Sequence, residues 1–456
     1  MNLCEKASGA NMSSLCYGGQ VTPSETTGRK GGLFMIDQYP PMGWNSWDCY
    51  GTSVTEAIVR QNASYMAEHL KPYGWKYVVV DIQWYQPGAV DYNYESFSDI
   101  VMDDWGRLQP AVNRFPSASS GAGFRPLADY VHSLGLKFGI HIMRGIPRMA
   151  AHRHLPIAGS EFTCAQAADP YSICQWNPDM YGAKQDHPAA QAYYDSIFRM
   201  YARWGVDFVK CDDIAREYPQ CRKEIEMIST ACRNCGRDIV LSLSPGPAPL
   251  SEAEHLKAWS NMWRITDDFW DDWKLLKGMF ERAEKWCVYA GSGHWPDADM
   301  LPFGAIRLCG EETAAGRWTR FTPEEQRSLM ALWCMMRSPL MMGGELTKCD
   351  PFTLSLLTNA ALLAIQRESF CAHSLRTTDE EAVWIAPRKD GRGLYAAVFN
   401  LSDNARRITV TEELLEIPAG RAVELWTGTS CEELSAYLEP HACAVWSVEA
   451  DHRPGL

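Results

Sequence analysis

The apolar run Val206-Asp-Phe-Val-Lys-Cys-Asp-Asp213 ends abruptly in one lysine and two carboxylates. A short continuous hydrophobic run reads as a buried parallel strand, and in closed barrels of such strands the chemistry sits at the carboxyl end. Lys210, Asp212 and Asp213 lie at that end. Charged groups there are costly unless paired, so they form either a salt-bridge knot or a reaction centre. A second acidic stretch, Trp263-Arg-Ile-Thr-Asp-Asp-Phe-Trp-Asp-Asp-Trp273, brings Arg264, Asp267 and Asp268 to the end of another run. Two carboxylates from different strands, facing an aromatic-lined pocket, suit glycoside hydrolysis. One traps an oxocarbenium-like sugar and the other protonates the leaving oxygen. Adjacent strand positions point to opposite faces, so Asp267 and Asp268 do not both face the pocket.

Such residues need strands to carry them. From Pro40 onward short apolar runs alternate with helical patterns, as repeated strand-helix units do. Eight runs are expected as strands, at residues 42–47, 77–84, 137–142, 207–212, 239–244, 262–268, a weaker 286–291, and 335–342. Between them lie amphipathic stretches such as 54–70, in which Ala57, Ile58, Tyr65, Met66 and Leu70 are broadly compatible with one helical face. Eight units close as an α/β (β/α)8 TIM barrel. Most runs end in polar or aromatic residues: Trp47, Asp81, His141, Asp212, Ser244, Asp268. Long loops at 85–125 and 143–182, rich in Trp, Tyr, Pro and Gly, are expected to build a pocket over the carboxyl face. After Ser374 the texture turns to short alternating strands at 382–386, 394–400, 406–410, 422–426 and 442–448, with a hairpin turn at Lys389-Asp-Gly-Arg-Gly393. The expected organisation is a poorly ordered polar leader at 1–32, a catalytic barrel at 33–373 and a small C-terminal antiparallel β-sandwich at 374–456.

Composition narrows the partners. The chain has 456 residues, enough for a large domain and a smaller one, and a net charge of -13 that argues against a nucleic-acid or anionic-membrane partner. A small neutral sugar or oligosaccharide fits better, and a homo-oligomer is compatible with the sequence. No stretch reaches the apolar length of a membrane span and no secretory signal is visible, so a cytoplasmic location is expected. The 16 cysteines are scattered, which favours reduced thiols over a disulfide framework. Cys232-x-x-Cys235 lacks a second ligand pair, so no metal is expected there. Asn62-Ala-Ser and Asn400-Leu-Ser match the glycosylation sequon, which is idle without export.

In order along the chain stand Pro41-Met-Gly-Trp-Asn-Ser-Trp47, Tyr77-Val-Val-Val-Asp81, Gly106-Arg-Leu-Gln-Pro110, Arg114-Phe-Pro116, Phe208-Val-Lys-Cys-Asp212, Trp263-Arg264, Gly293-His-Trp-Pro-Asp-Ala-Asp-Met-Leu301 and Ser338-Pro-Leu-Met-Met342. With these motifs the chain resembles the α-galactosidase family, glycoside hydrolase family 27. The resemblance implies a retaining enzyme that uses neither metal nor cofactor, with Asp212 as nucleophile and Asp268 as acid/base. Asp267 aligns with a small residue in relatives. Lys210, Trp47 and Arg264 match family positions that contact the sugar, and the two cations also favour the ionised form of Asp212. Asp299 belongs to a family motif but is left in a supporting role, outside catalysis.

Three departures bear on the substrate. Where α-galactosidases carry two successive aspartates that hold the 4- and 6-hydroxyls, this chain reads Asp81-Ile82. A hydroxymethyl group against Ile82 loses its acceptor, whereas β-L-arabinopyranose is α-D-galactose without that arm. The expected reaction is exo-acting removal of terminal β-L-arabinopyranosyl residues. Ser244 stands where the family has a glutamate reading the 2-hydroxyl, and could instead admit a 2-acetamido group. His141 replaces a tyrosine and could donate to a sugar hydroxyl or to Asp212, or simply be a barrel-interior histidine. α-Galactosidase and α-N-acetylgalactosaminidase activity are the alternatives, and a sugar-binding barrel without turnover is the non-enzyme one.

Overall fold

The computed structural model of the protein describes residues 38–309, 316–415 and 419–450. The leader expected at 1–32 lies outside them. Eight strands form one parallel sheet: β1 (Met42–Asn45), β2 (Tyr77–Val80), β3 (Lys137–Met143), β4 (Phe208–Asp212), β5 (Val240–Leu243), β6 (Met262–Arg264), β7 (Trp295–Asp297) and β8 (Leu340–Met342). Neighbours follow chain order from β1 to β7, and β8 returns to β1 with Met42 opposite Leu340. Between β7 and β8 the ring closes, among the described residues, through one bridge. There Leu301 N donates to Met341 O at 2.8 Å and Gly343 N to Leu301 O at 3.0 Å. A helix follows each strand: Glu56–Tyr65, Arg125–Ser133, Pro188–Trp204, Arg222–Asn234, Ala253–Trp259, Trp273–Trp286, Pro323–Met336 and Ala360–Glu368. The chain is a (β/α)8 barrel.

Local sequence sets the helix ends. Pro188–Trp204 opens on a proline, whose missing N–H is no loss there, and stops at Gly205 with φ 83°. Pro323–Met336 opens on a capping box between Thr322 and Glu325. The expected helix at 54–70 is Glu56–Tyr65, continued by a wider turn over Met66–Leu70.

The barrel interior follows the two-residue period of a strand. Tyr77, Val79, Phe208, Val240, Met262, Trp295 and Met341 pack there as a cluster of their own. Counting on by twos leads from Val79 to Asp81, from Phe208 to Lys210 and Asp212, from Met262 to Arg264, from Trp295 to Asp297 and Asp299, and from Met341 to Gly343. The apolar plug therefore gives way to charge at the carboxyl ends.

Two expected strands are corrected. Residues 286–291 are not the seventh strand: Trp286 ends a helix and Cys287–Tyr289 is a 3-10 turn, apolar because Trp286 and Cys287 are buried in packing. The strand is Trp295–Asp297, obscured by Pro296, which by itself argues against an interior strand. That proline is accommodated because β7 pairs along its length only with β6, Trp295 opposite Met262 and Asp297 opposite Arg264. The eighth strand is only Leu340–Met342. Met335 and Met336 finish the preceding helix, and Arg337 stops it with φ 59°.

The C-terminal part adds β9 (His373–Thr377), β10 (Glu381–Pro387), β11 (Gly393–Asn400), β12 (Arg406–Val410), β13 (Ala419–Glu424), β14 (Ser430–Cys431), β15 (Leu434–Leu438) and β16 (Cys443–Ala450). They form an antiparallel six-stranded sheet, β9-β10-β11-β16-β13-β14, and the pair β12-β15. Val383, Ile385, Val398, Ile408, Val410, Leu434, Leu438, Trp446 and Val448 fill the space between as a sandwich core. β9, β14 and β15 are additions to the expected strands, too short or too polar to show alternation.

Among the described residues no helix is long and apolar enough to cross a membrane, and no group of three His, Cys, Asp or Glu is placed to hold a metal. The described cysteines are free thiols, Cys232 and Cys235 included. Both sequon asparagines are buried: Asn62 Nδ2 donates to Glu345 at 2.9 Å and Asn400 Nδ2 to the Leu438 carbonyl at 3.2 Å.

Candidate active site

At the carboxyl ends of the strands lies a cavity of about 190 Å³, on the scale of one sugar ring. Trp47, Asp48, Asp81, Ile82, Lys210, Asp212, Arg264, Asp268 and Asp299 all line it, with Tyr94, Trp176 and Trp270 from the loops. Trp47 stacks on Tyr94 with ring centres 6.0 Å apart and planes 11° from parallel, and Tyr94 in turn leans on Trp176 at 5.1 Å. Flat apolar faces beside charged groups suit a ring that carries C–H groups on its faces and hydroxyls at its edge. Arg114 anchors the loop bearing Tyr94, donating to the carbonyls of Gln83 at 2.7 Å, Gln86 at 2.9 Å and Val54 at 2.7 Å.

Asp212, at the end of β4, accepts from Asp213 N at 3.0 Å and lies 2.9 Å from His141 Nε2. Burial pushes its carboxyl up, but the bond and charge of His141, and then Lys210, overcome this and hold it well below the usual carboxylate range. Lys210 Nζ donates to Asp81 Oδ2 at 2.9 Å, and Asn45 Nδ2 donates to the same oxygen at 2.7 Å. Burial lowers the Lys210 ammonium, yet Asp81 and Asp212 more than offset it and keep the lysine charged.

Across the cavity Arg264 spans two carboxylates, Asp268 at 3.2 Å and Asp299 at 2.7 Å. Burial pushes Asp299 up to about 6 against the pull of Arg264, with Asp268 and Asp297 adding to the rise. The Asp212 side chain is 13% exposed and that of Asp268 61%. One carboxylate is thus shut in and ionised while the other stands open. That asymmetry can support attack on a bound ring from inside and proton exchange with a group leaving outward. Asp267 pairs with Arg216 at 2.8 Å and accepts from Asp268 N at 2.9 Å, and of the neighbouring pair it is Asp268 that lines the cavity.

Two residues expected at the sugar do not line the cavity. His141 is fully buried and stands behind Asp212 instead of lining the cavity. Ser244 is also buried, its Oγ without a hydrogen-bond partner, and Pro245 takes its place on the wall because the chain turns at the end of β5. Asp213 pairs with Arg144 at 2.9 Å, and burial pushes its carboxyl up to about 6. Asp48, Tyr94, Trp176, Trp270 and Met300 are cavity residues that no strand-end rule singled out. The aromatics among them had a general signal in the aromatic-rich loops, and Asp48 had none.

The chain matches the family model described as alpha galactosidase A over residues 39–180 and 179–368, and that of the alpha galactosidase C-terminal beta sandwich domain over 378–448. Among solved structures it is similar to a family 27 β-L-arabinopyranosidase from Geobacillus stearothermophilus, 50% identical with TM-score 0.88, over 92% of this chain and 98% of that one. A Bacillus halodurans structure provisionally described as an α-N-acetylgalactosaminidase is 48% identical with TM-score 0.82, over 90% and 97%. Alpha-galactosidase 2 of Arabidopsis thaliana is 27% identical over 425 residues, 90% of this chain and 89% of that protein.

Proposed function

From the premise that the chain belongs to the α-galactosidase family, glycoside hydrolase family 27, and is a glycosidase of it, we propose that it releases terminal β-L-arabinopyranosyl residues with retention of configuration. Asp212 Oδ attacks the anomeric carbon while the bond to the aglycone oxygen breaks, and Asp268 gives that oxygen its proton. Water then attacks the same carbon, Asp268 takes the water proton, and the bond to Asp212 breaks. Lys210, Asp81 and Arg264 hold ring hydroxyls, and Trp47 faces the ring. A cavity that fits one ring supports exo action.

Ile82 carries the substrate reading. It lines the cavity beside Asp81, where an α-galactoside has to bury its 6-hydroxyl against an apolar side chain. A buried hydroxyl without a partner costs about 1 to 3 kcal/mol, and apolar contact with a bare C5 favours arabinopyranose by a similar amount. The 50% identity to an arabinopyranosidase agrees with this. The N-acetylgalactosaminide alternative calls for Ser244 on the cavity wall, and the residues lining the cavity include Pro245 but not Ser244. Wild type is expected to cleave para-nitrophenyl β-L-arabinopyranoside with kcat/KM tens- to hundredfold above the α-D-galactoside. Ile82→Asp then moves that ratio toward galactoside by about the same factor. A wild type that prefers galactoside, or a ratio that the substitution leaves unmoved, returns the reading to α-galactosidase.

A pH test probes His141. Its contact lowers the Asp212 carboxyl against burial, so without it burial acts less opposed and the carboxyl rises. Because attack requires the ionised form, the acid limb of kcat/KM in His141→Phe is expected at higher pH than in wild type, with the alkaline limb unchanged. An unmoved acid limb would remove His141 from this role.

A further inference from the structure

Asp48 lines the same cavity and has no part in the steps above. Its side chain is buried and Oδ2 has no hydrogen-bond partner. The carboxyls around it are all engaged: Asp81 with Lys210, Asp212 with His141, Asp268 and Asp299 with Arg264. Nor does Asp48 serve its own element, since the short helix Trp47–Tyr50 has no side-chain cap. Its backbone is fixed, the carbonyl accepting from Arg307 N at 2.7 Å and from Tyr92 Oη at 2.8 Å. Its space is kept open as well: Gly343, the inward position just beyond β8, would collide with the Asp48 carboxyl if it carried a Cβ. A buried polar group left without a partner is uncommon and unfavourable, and in a residue that lines a cavity the carboxyl is within reach of a ligand there. Burial, followed by Asp299, pushes the carboxyl well up, with Asp268 and Asp81 adding and only Lys210 opposing. Burial thus shifts the group toward the protonated form, which can both donate and accept.

We infer that Asp48 is a sugar-binding residue whose carboxyl hydrogen-bonds a ring hydroxyl of the bound pyranose, between the Lys210–Asp81 pair and the Arg264–Asp299 pair. This rests on reading the cavity as a pyranoside site. It also supplies a polar partner to a pocket that has lost the family's carboxylates at Ile82 and Ser244. The ring hydroxyls are shared by β-L-arabinopyranosides and α-D-galactosides, so the contact serves both sugars alike, unlike Ile82.

The test compares Asp48→Ala and Asp48→Asn with wild type on both para-nitrophenyl glycosides, with calorimetric binding of free L-arabinose and D-galactose and with Tm. Asp48→Ala is expected to lose about 10- to 100-fold in sugar affinity and kcat/KM on both sugars equally, chiefly through KM. Its Tm should be unchanged or higher, because an unpartnered buried carboxyl has been removed. Asp48→Asn, which keeps a donor and an acceptor in the same place, should recover most of the affinity. Affinity within threefold of wild type in Asp48→Ala, a loss confined to one sugar, or a loss matched by a fall in Tm would overturn the inference. Failure of the substrate reading appears separately, in the wild-type ratio of the two glycosides.

Discussion

Asp212→Asn is expected to bind sugar and to turn over nothing. The amide has nearly the shape of the carboxylate but cannot form the glycosyl ester, and loss of a covalent nucleophile costs on the order of 10⁴-fold or more in kcat. The buried surroundings are built for an anion, with His141 at 2.9 Å and Lys210 close by. In Asp212→Gly, which vacates that position, a small external anion should therefore enter in place of the missing carboxylate. Sodium azide is expected to restore turnover of an activated β-L-arabinopyranoside and to yield a glycosyl azide of inverted configuration, read by proton NMR. Activity in the variant above about one per cent of wild type, without azide, would mean that another group attacks.

The second large effect is expected at Asp268 and depends on the leaving group. Positioned proton donation contributes about 10²- to 10⁴-fold, so Asp268→Ala should lose that much in kcat/KM on an unactivated alkyl glycoside. On a 2,4-dinitrophenyl glycoside, whose oxygen leaves without a proton, the same variant should stay within about tenfold of wild type. Asp267→Ala removes an exposed pair with Arg216 and the hydrogen bond that Asp267 Oδ1 accepts from Asp268 N, and should lose the same small factor on both glycosides, without leaving-group dependence. If Asp267→Ala shows the leaving-group dependence instead, the roles of the neighbours are exchanged.

The charged strand ends were readable because a buried parallel strand has few places for a charge except its end. Phe208 to Asp212 and Met262 to Arg264 announce both the element and the position of the chemistry. Trp295–Asp297 was hidden by Pro296, whose local preference opposes an interior strand until its one-sided pairing is known. Ser244 and His141 occupy strand ends too, yet both are buried and neither lines the cavity. Strand order does not contain that distinction. Tyr94 and Trp176 sit in separate loops, and only the anchoring of one by Arg114 and the small sheet of Ile146–Pro147, Ala168–Ile173 and Met180–Ala183 in the other bring them to Trp47. Asp48 followed neither a period nor an end, and its place depends on the missing side chain of Gly343, on a distant strand.

The one-bridge closure between β7 and β8 makes the ring unequal around its circumference. β3 and β4 are aligned over five residue pairs, from Gly139 opposite Phe208 to Met143 opposite Asp212, whereas Leu301 and Met342 alone carry the described ladder at the other side. Free energies of local opening scale with the contacts that must break, so the amides of Trp295 and Asp297 should exchange with solvent deuterium well before those of β3 and β4. Asp299 and Gly343 stand on the two banks of that seam, on the opposite side of the barrel from His141 and Asp212. On warming, the Asp299 side of the cavity should therefore loosen while the half that carries Asp212 is still folded, and inactivation should run ahead of global melting.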